Sequence, residues 1–407
     1  FKRAKHELKK RLAQLNDLLN HQMFGTVGTT ADYDAWYQSH QPFHWLAEFY
    51  EIINGHGGFD VIIGNPPYVK ININSSNLSY IPTHINASKN CGDLFGYCLE
   101  RITFLTRNKY SLIVPLSLTS TQKMEKLREF IIKDSSELWT SYYSASAQPC
   151  TLFEGVRHRL MIVISNKNNI TKCEIYTTNF IKWLSSERHV LLAAKLHYTN
   201  SESLGCCKIA SQKESNILKR MKGDKEIAYY IKSSGVPIYY HNAPVYWGKV
   251  FNFIPMFRIG NGAPIQSSHL KTIYFENKAY ANLVICILNS SLFYWFNWQY
   301  SNCRDLAVRN IEIFKFSLSQ IGSAFYKQIK LLCDSLMRDY KKNSIIYRRN
   351  SKGILTQFDS FYPAMSKPII DEIDKLLASH YGFTEEELDF IINYDIKYRM
   401  GDELNEE

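Results

Sequence analysis

The sequence predicts an α/β protein: a doubly wound sheet first, then an α+β region, then C-terminal helices. Three observations carry this. From Phe59 to Asn166, apolar strand-like runs alternate with helical periodicity. After Gly205 the pattern changes to short aromatic strands separated by turns. From Phe325 on, apolar residues recur at helical spacing. At 407 residues the chain can bury two or three cores. Its 45% hydrophobic and 21% charged content is ordinary for a soluble protein.

In order, Phe1–Asn20 reads as a helix, with Leu8, Leu12, Leu15, Leu18 and Leu19 among lysines and arginines. A Gly/Thr stretch, Gly25–Asp32, breaks it, and Pro42–Ile53 resumes helical spacing. "FDVIIG" is a buried strand that runs into Asn65-Pro66-Pro67-Tyr68. A polar loop, Asn72–Asn90, leads to the helix "GDLFGYCLERITFLTRNKY" and a second buried strand, Ser111–Leu118. "STQKMEKLREFII" is helical, and Leu152–Asn166 is an apolar strand with a turn before it. Beyond Gly205 come the strands "GVPIYYHNAPVYW", "FNFIPMFRIGNG" and "KTIYFEN", then the buried helix "NLVICILNSSLFYWFNWQYS". Phe325, Ile329, Leu332, Leu336 and Tyr340 mark a long helix. Two more follow, one with Pro368 in its first turn and one opened by a capping box, Thr384 with Glu387.

The charge is uneven. Gly205–Lys352 holds 22 Lys+Arg against 8 Asp+Glu, or +14, while Gly353–Glu407 holds 4 against 13, or −9. A basic segment rich in Tyr, Phe and Trp suits a polyanion-binding surface, and a solvated basic face over an aromatic core fits the same counts. The nine cysteines contain no C-x-x-C pair, so reduced thiols are expected, with the adjacent Cys206 and Cys207 as buried apolar residues. No metal-spaced cluster is seen, and no apolar run reaches membrane-spanning length. The first residue is Phe rather than Met, which suggests a fragment or a processed chain.

The Asn-Pro-Pro-Tyr corner is the sharpest local signal. Proline cannot donate to a ladder, so strand pairing has to stop at Gly64, and Asn65 is pushed out of the α region. The result is a stiff corner at the carboxyl end of a strand, where open α/β sheets bind ligands.

These residues resemble motif IV of the gamma-class N6-adenine DNA methyltransferases, and the chain resembles the C-terminal part of a fused type IIG restriction–modification enzyme. The same family order holds in "DLFGYCLERITFL" with "SLIVPLSL", in "TLFEGVRHRLMIVI", in "ILNSSLFYWFNWQYSNCRDL" and in "KPIIDEIDKLLASHYGFTEEELDFIINYDIKYRM". The resemblance implies a partial Rossmann-like methyltransferase sheet, an α+β target-recognition domain and C-terminal helices. Its divisions are a helical segment 1–54, a catalytic part 55–204, a target-recognition domain 205–320 and a helical region 321–407.

The resemblance also assigns roles. Asn65 and Pro66, with Pro67 fixing the corner, offer acceptors to the poorly nucleophilic amine of adenine. The base has to leave the duplex, so Tyr68 stacks on it and Phe153 closes on its other side. Asn65, Pro67 and Cys98 line the S-adenosylmethionine site, with Cys98 where the family usually has an aromatic. The family's glycine-rich cofactor motif belongs upstream of the strand, and "GTVGTT" at Gly25 follows no apolar strand. The cofactor half of the sheet is therefore missing from this reading, and weak cofactor binding by this chain alone is expected.

Implied partners are double-stranded DNA and an upstream part of the same polypeptide, with no membrane, in the cytoplasm of a bacterium or archaeon. Arg304 and Arg309 are the DNA-binding candidates, since they follow an apolar helix in polar surroundings. Ion pairs with Asp305 and Glu312 are the competing use for them. Asp395-Ile396-Lys397 is read as a surface turn rather than a nuclease site. Two alternative functions stay open: a non-catalytic DNA-binding specificity module, and an RNA or protein-glutamine methyltransferase, because the corner suits any planar amide or amino group.

Overall fold

The computed structural model describes residues 2–27, 32–71, 86–144, 152–153, 156, 158–168, 172–183, 196–201, 208–221, 223, 225–317, 321–351 and 353–401. The chain divides into two compact units, Phe1–Leu196 with Asn200–Gly205 and His197–Thr199 with Cys206–Glu407.

The first unit opens with α1 (Lys2–Val27), α2 (Tyr33–His40), α3 (Trp45–Glu48) and a π-helical turn at Glu51–Gly55. Helix α1 runs through Gly25, past its expected break, while Pro42–Ile53 is helical only in part. Trp36 of α2 is buried against Phe24 and Tyr33. Next come β1 (Phe59–Gly64), α4 (Leu94–Leu105), β2 (Thr106–Pro115), α5 (Ser117–Ser120) and α6 (Glu125–Lys133). Then follow β3 (Glu137–Tyr143), β4 (Leu160–Asn166), β5 (Glu174–Ile181) and β6 (Thr199–Ser201). The helix expected to reach Tyr110 ends at Leu105. Thr106, Asn108 and Tyr110 are weak helix formers and pair in a strand instead.

The six strands lie in the order β1-β2-β4-β3-β5-β6. β1 and β2 are parallel, as are β3 and β5, whereas β4 runs antiparallel to both β2 and β3. The sheet is therefore mixed, not parallel throughout as a doubly wound reading implies. Its core packs Phe95 and Leu99 of α4, Leu127 and Ile131 of α6, and Leu112, Val114, Leu138 and Val163 of the strands, all buried. β1 departs from expectation. Among the described residues it is the edge strand and pairs only with β2, so Val61 is 53% and Ile63 79% exposed where a buried strand was expected.

Most of the polar loop Asn72–Asn90 lies outside the described residues. Its last part is pinned to α4, because Glu100 accepts bonds from the N–H groups of Asn86, Ala87 and Ser88 and from the Ser88 hydroxyl. Burial raises that carboxyl, and the four donors outweigh burial and hold it below the usual range. Cys206 and Cys207 also lie outside the described residues.

The second unit begins with α7 (Gln212–Arg220) and β7 (Lys225–Glu226). β8 (Ile231–Lys232), β9 (Val236–His241), β10 (Val250–Phe251), β11 (Phe257–Ile259) and β12 (Leu270–Phe275) follow. The expected single buried helix is two, α8 (Lys278–Asn289) and α9 (Ser291–Tyr300), bent by 71°. Ser290 makes the break, since its hydroxyl accepts the Phe293 N–H at 2.9 Å and caps α9. The remaining elements are α10 (Val308–Glu312), β13 (Lys315–Phe316), α11 (Ser323–Lys342), β14 (Ile345–Ser351) and β15 (Ile354–Ser360), then α12 (Lys367–Tyr381), α13 (Glu385–Ile392) and α14 (Ile396–Arg399).

β10-β9-β12-β8 form one sheet, β11-β15-β14 another, and β13 pairs with β7. The region 321–407 is thus not helical throughout, because the hairpin β14–β15 interrupts it. Pro368 sits in the first turn of α12, which ends on Gly382 at φ 66°, and the Thr384–Glu387 capping box is formed.

Helices α8 and α9 are the centre of this unit. Every residue from Leu283 to Gln299 is buried. A buried helix needs its end groups satisfied. Asp374 of α12 accepts the N–H groups of Ser291 and Leu292, both at 3.0 Å. At the other end, the buried Lys208 donates to the carbonyls of Trp298, Gln299 and Ser301 at 2.8–3.1 Å. An anion at the N-terminus and a cation at the C-terminus both complement the helix dipole. Burial pushes the Asp374 carboxyl up to about 6 in spite of its donors and the nearby Arg399. Arg399 lies 3.8 Å over the Trp247 ring. Among the described residues no single helix is long and apolar enough to cross a membrane.

Candidate active site

β1 ends at Gly64, which pairs with Leu112, and the chain turns at once into Asn65-Pro66-Pro67-Tyr68. Pro66 is buried, Asn65 and Pro67 are exposed, and Tyr68 is half-buried. After the corner the backbone is stapled to the start of α4: Leu94 N–H donates to Val69 O and Ile71 N–H to Gly92 O, each at 2.9 Å. Gly92 takes φ 67°, which a side chain would oppose. The sequence thus fixes the corner at two points, the sheet before it and the helix after it.

Within the corner, the Tyr68 hydroxyl lies 2.7 Å from Asn65 Oδ1 and 3.0 Å from the Ile113 carbonyl of β2. Burial pushes that phenol up to about 12, so it stays a donor. Asn65 Oδ1 is thereby oriented, and an amide oxygen keeps a second lone pair for another donor. Among the described residues no N–H donates to the Pro66 carbonyl. The arrangement can present two acceptors to an amino group, one on a side chain and one on the main chain.

Tyr68 and Phe153 pack against one cluster formed by Tyr143, Leu152, Leu160 and Trp183. The structure therefore brings together the two aromatic residues singled out from sequence. Cys98 lies on α4, half-buried, and burial raises its thiol pKa. Two further residues belong to the neighbourhood. His158 meets Tyr68 edge-on at 6.0 Å. Asp93 is the residue before α4, with a carboxyl raised by burial and lowered in turn by Lys70, Lys123 and His158. Asp93 is not among the residues the sequence points to, although a Gly-Asp pair opens its helix. Nothing local marked His158.

In the second unit, Arg304 is exposed with its Nε 3.8 Å from Asp305 Oδ1, a long surface pair of little energetic weight. Arg309 is exposed on α10, and no ion pair to Glu312 forms among the described residues. Asn302 Oδ1 accepts the N–H groups of Arg304 and Asp305, and Asn310 is buried and bonded to Asn297. Asp395 precedes the short helix α14, is half-buried and accepts the Tyr294 hydroxyl.

Residues 2–147 match the family described as Eco57I restriction-modification methylase. No curated protein matches the chain in sequence. Among solved structures, it is similar to the type IIL restriction-modification enzyme MmeI in complex with DNA, at 10% identity and a TM-score of 0.45, over 84% of this chain and 57% of that one. It is also similar to a nuclease-deletion mutant of the type ISP restriction-modification enzyme LlaGI in complex with a DNA substrate mimic. There the identity is 12% and the TM-score 0.40, over 75% of this chain and 46% of that one. The chain thus spans about half the length of these two structures, and the stretch that matches the methylase family carries the Asn-Pro-Pro-Tyr corner.

Proposed function

We propose that the chain carries the methyl-transfer corner and the DNA-recognition part of a site-specific DNA adenine N6-methyltransferase of a restriction–modification system. One observation carries the reading: Asn65 Oδ1, oriented by the Tyr68 hydroxyl, stands beside a Pro66 carbonyl that no described N–H occupies, at the carboxyl end of a strand. Two such acceptors draw the hydrogens of an exocyclic amine and make its nitrogen a better nucleophile as attack begins. The ring of Tyr68, held on its cluster together with Phe153, stacks on a base taken out of the duplex, worth ~1–3 kcal/mol.

S-adenosylmethionine supplies an electrophilic methyl group when bound. Asn65 and Pro67 are exposed, and Cys98 sits on the helix stapled to the same loop, so these three fit one wall of its site. Double-stranded DNA is the proposed partner, with Arg304 and Arg309 reaching its backbone or base edges. The remaining wall is assigned to an upstream part of the same polypeptide, and the location to a bacterial or archaeal cytoplasm.

The test is methyl transfer from labelled S-adenosylmethionine to duplex DNA by the longer protein that includes the upstream part. Asn65→Ala and Tyr68→Ala are each expected to reduce transfer by about a hundredfold or more, with DNA affinity largely kept. Transfer near the wild-type rate by Asn65→Ala overturns the mechanism.

A further inference from the structure

The second unit contains a cavity of about 580 Å³ lined by residues of both its larger sheets. Four basic side chains face it: His241 on β9, Lys249 just before β10, His269 just before β12 and Arg349 on β14. Among the described residues none of them lies within 4.0 Å of a carboxylate. Asp359 also lines the cavity, but its Oδ2 accepts the Met256 N–H at 2.8 Å.

The basic groups are close enough to disfavour one another's charge. The His241 and His269 rings stack at 5.7 Å. Burial first, then Lys249 and His269, lower the His241 pKa, and burial lowers that of Lys249. The N–H of Ala243 points at His241 Nδ1 at 3.3 Å, which leaves Nε2 as a donor in the neutral ring. Paired rings complete the walls, Phe251 with Phe361 at 4.6 Å and Phe257 with Phe358 at 6.4 Å. A cavity that gathers two cationic side chains and two imidazoles against one carboxylate is stabilised by an anion, and aromatic walls favour one attached to a planar ring.

We propose that this cavity is a phosphate-binding site that takes the phosphoryl group of a nucleotide between His241, Lys249, His269 and Arg349, with its base against the aromatic walls. The nucleotide is either free or part of a DNA strand. The site goes beyond methyl transfer and does not depend on it.

The experiment is calorimetry on the full chain with inorganic phosphate, adenosine 5′-monophosphate and a short DNA duplex, using the wild type, Lys249→Met and Arg349→Gln. Saturable binding of phosphate or the mononucleotide that Lys249→Met weakens about tenfold supports the site. Lys249→Met also removes a charge that burial disfavours, so its melting temperature is expected to rise by about 2–4 °C. That rise also shows the variant is folded. Arg349 is an exposed strand residue, and its variant repeats the binding test without touching the core.

Duplex affinity weakened by both variants and competed by the mononucleotide supports a DNA source. Unchanged duplex affinity with lost mononucleotide binding supports a free nucleotide. If both variants leave all three affinities unchanged, or if the wild type binds none of the probes, the site is overturned. A wild type that binds phosphate but no duplex keeps this site and counts against the DNA reading alone.

Discussion

β1 and α9 are both apolar segments next to polar chemistry, yet the chain treats them in opposite ways. β1 leaves Ile63 79% exposed and, among the described residues, one edge unpaired, while α9 is buried from Ser291 to Gln299 and has a charged group at each end. The difference lies in what flanks each one. α9 is enclosed by α8, α12, α13 and the segment at Lys208, all in its own unit, whereas β1 meets only β2 on its paired side. Apolar sequence fixes a wish for burial, and neighbours decide whether it is met. The strand that carries the candidate active site is the one-sided element, and the helix that carries none of it is sealed.

The largest effect should come from breaking the sealed element. Asp374→Ala leaves the N–H groups of Ser291 and Leu292 without their acceptor and removes one of the carboxylates that offset the buried Arg399, so a loss of about 3–5 kcal/mol is expected in urea unfolding. A loss under about 1 kcal/mol would show that the helix end finds other partners.

The next effect is read in binding rather than stability, and it sharpens the contrast by probing the exterior of the sealed unit. Arg304→Ala and Arg309→Ala should each flatten the salt dependence of duplex affinity by about one unit if the side chain meets a phosphate. If it meets a base, preference at one position relaxes by ~1–3 kcal/mol instead. Affinities for specific and scrambled duplexes across a salt series separate these cases, and no change in either variant assigns both arginines to structure.

The smallest effect belongs to the one-sided element. Ile63→Asp, ruinous in a buried strand, should change the stability of this chain by no more than about 0.5 kcal/mol, because the side chain is already in water. A cost of several kcal/mol by chemical denaturation would show that Ile63 is covered in solution.

Much of this was legible. The helical spacing of Phe325 to Tyr340, the Thr384 capping box and the stop at Gly64 are local events, and local chemistry announces them. β3 and β5 were missed because "ELWTSYY" and "EIYTTNFI" carry hydroxyls on buried positions, Thr140, Ser141, Thr177 and Thr178, which blurs the apolar pattern. β14 was missed for the opposite reason. All seven of its residues are exposed, so no alternation is imposed on them. The site divided in the same way. Asn65 and Tyr68 could be read because they are adjacent in sequence, whereas His158 and the four basic groups of the cavity are gathered only by the fold.

The capping of α9 also has a consequence for the order in which the chain can fold during synthesis. Lys208 precedes the carbonyls it holds by 90–93 residues, and Asp374 follows its N–H groups by 82–83. As the ribosome releases the chain, the aromatic helix emerges with its first clamp already made and its last clamp still unsynthesised. Until residue 374 is free, Leu292, Phe293, Trp295 and Phe296 belong to a helix that cannot be closed. Such long-range closure is slow and leaves sticky surface exposed in the meantime. A nascent chain stalled between α11 and α12 should therefore be the form that chaperones hold.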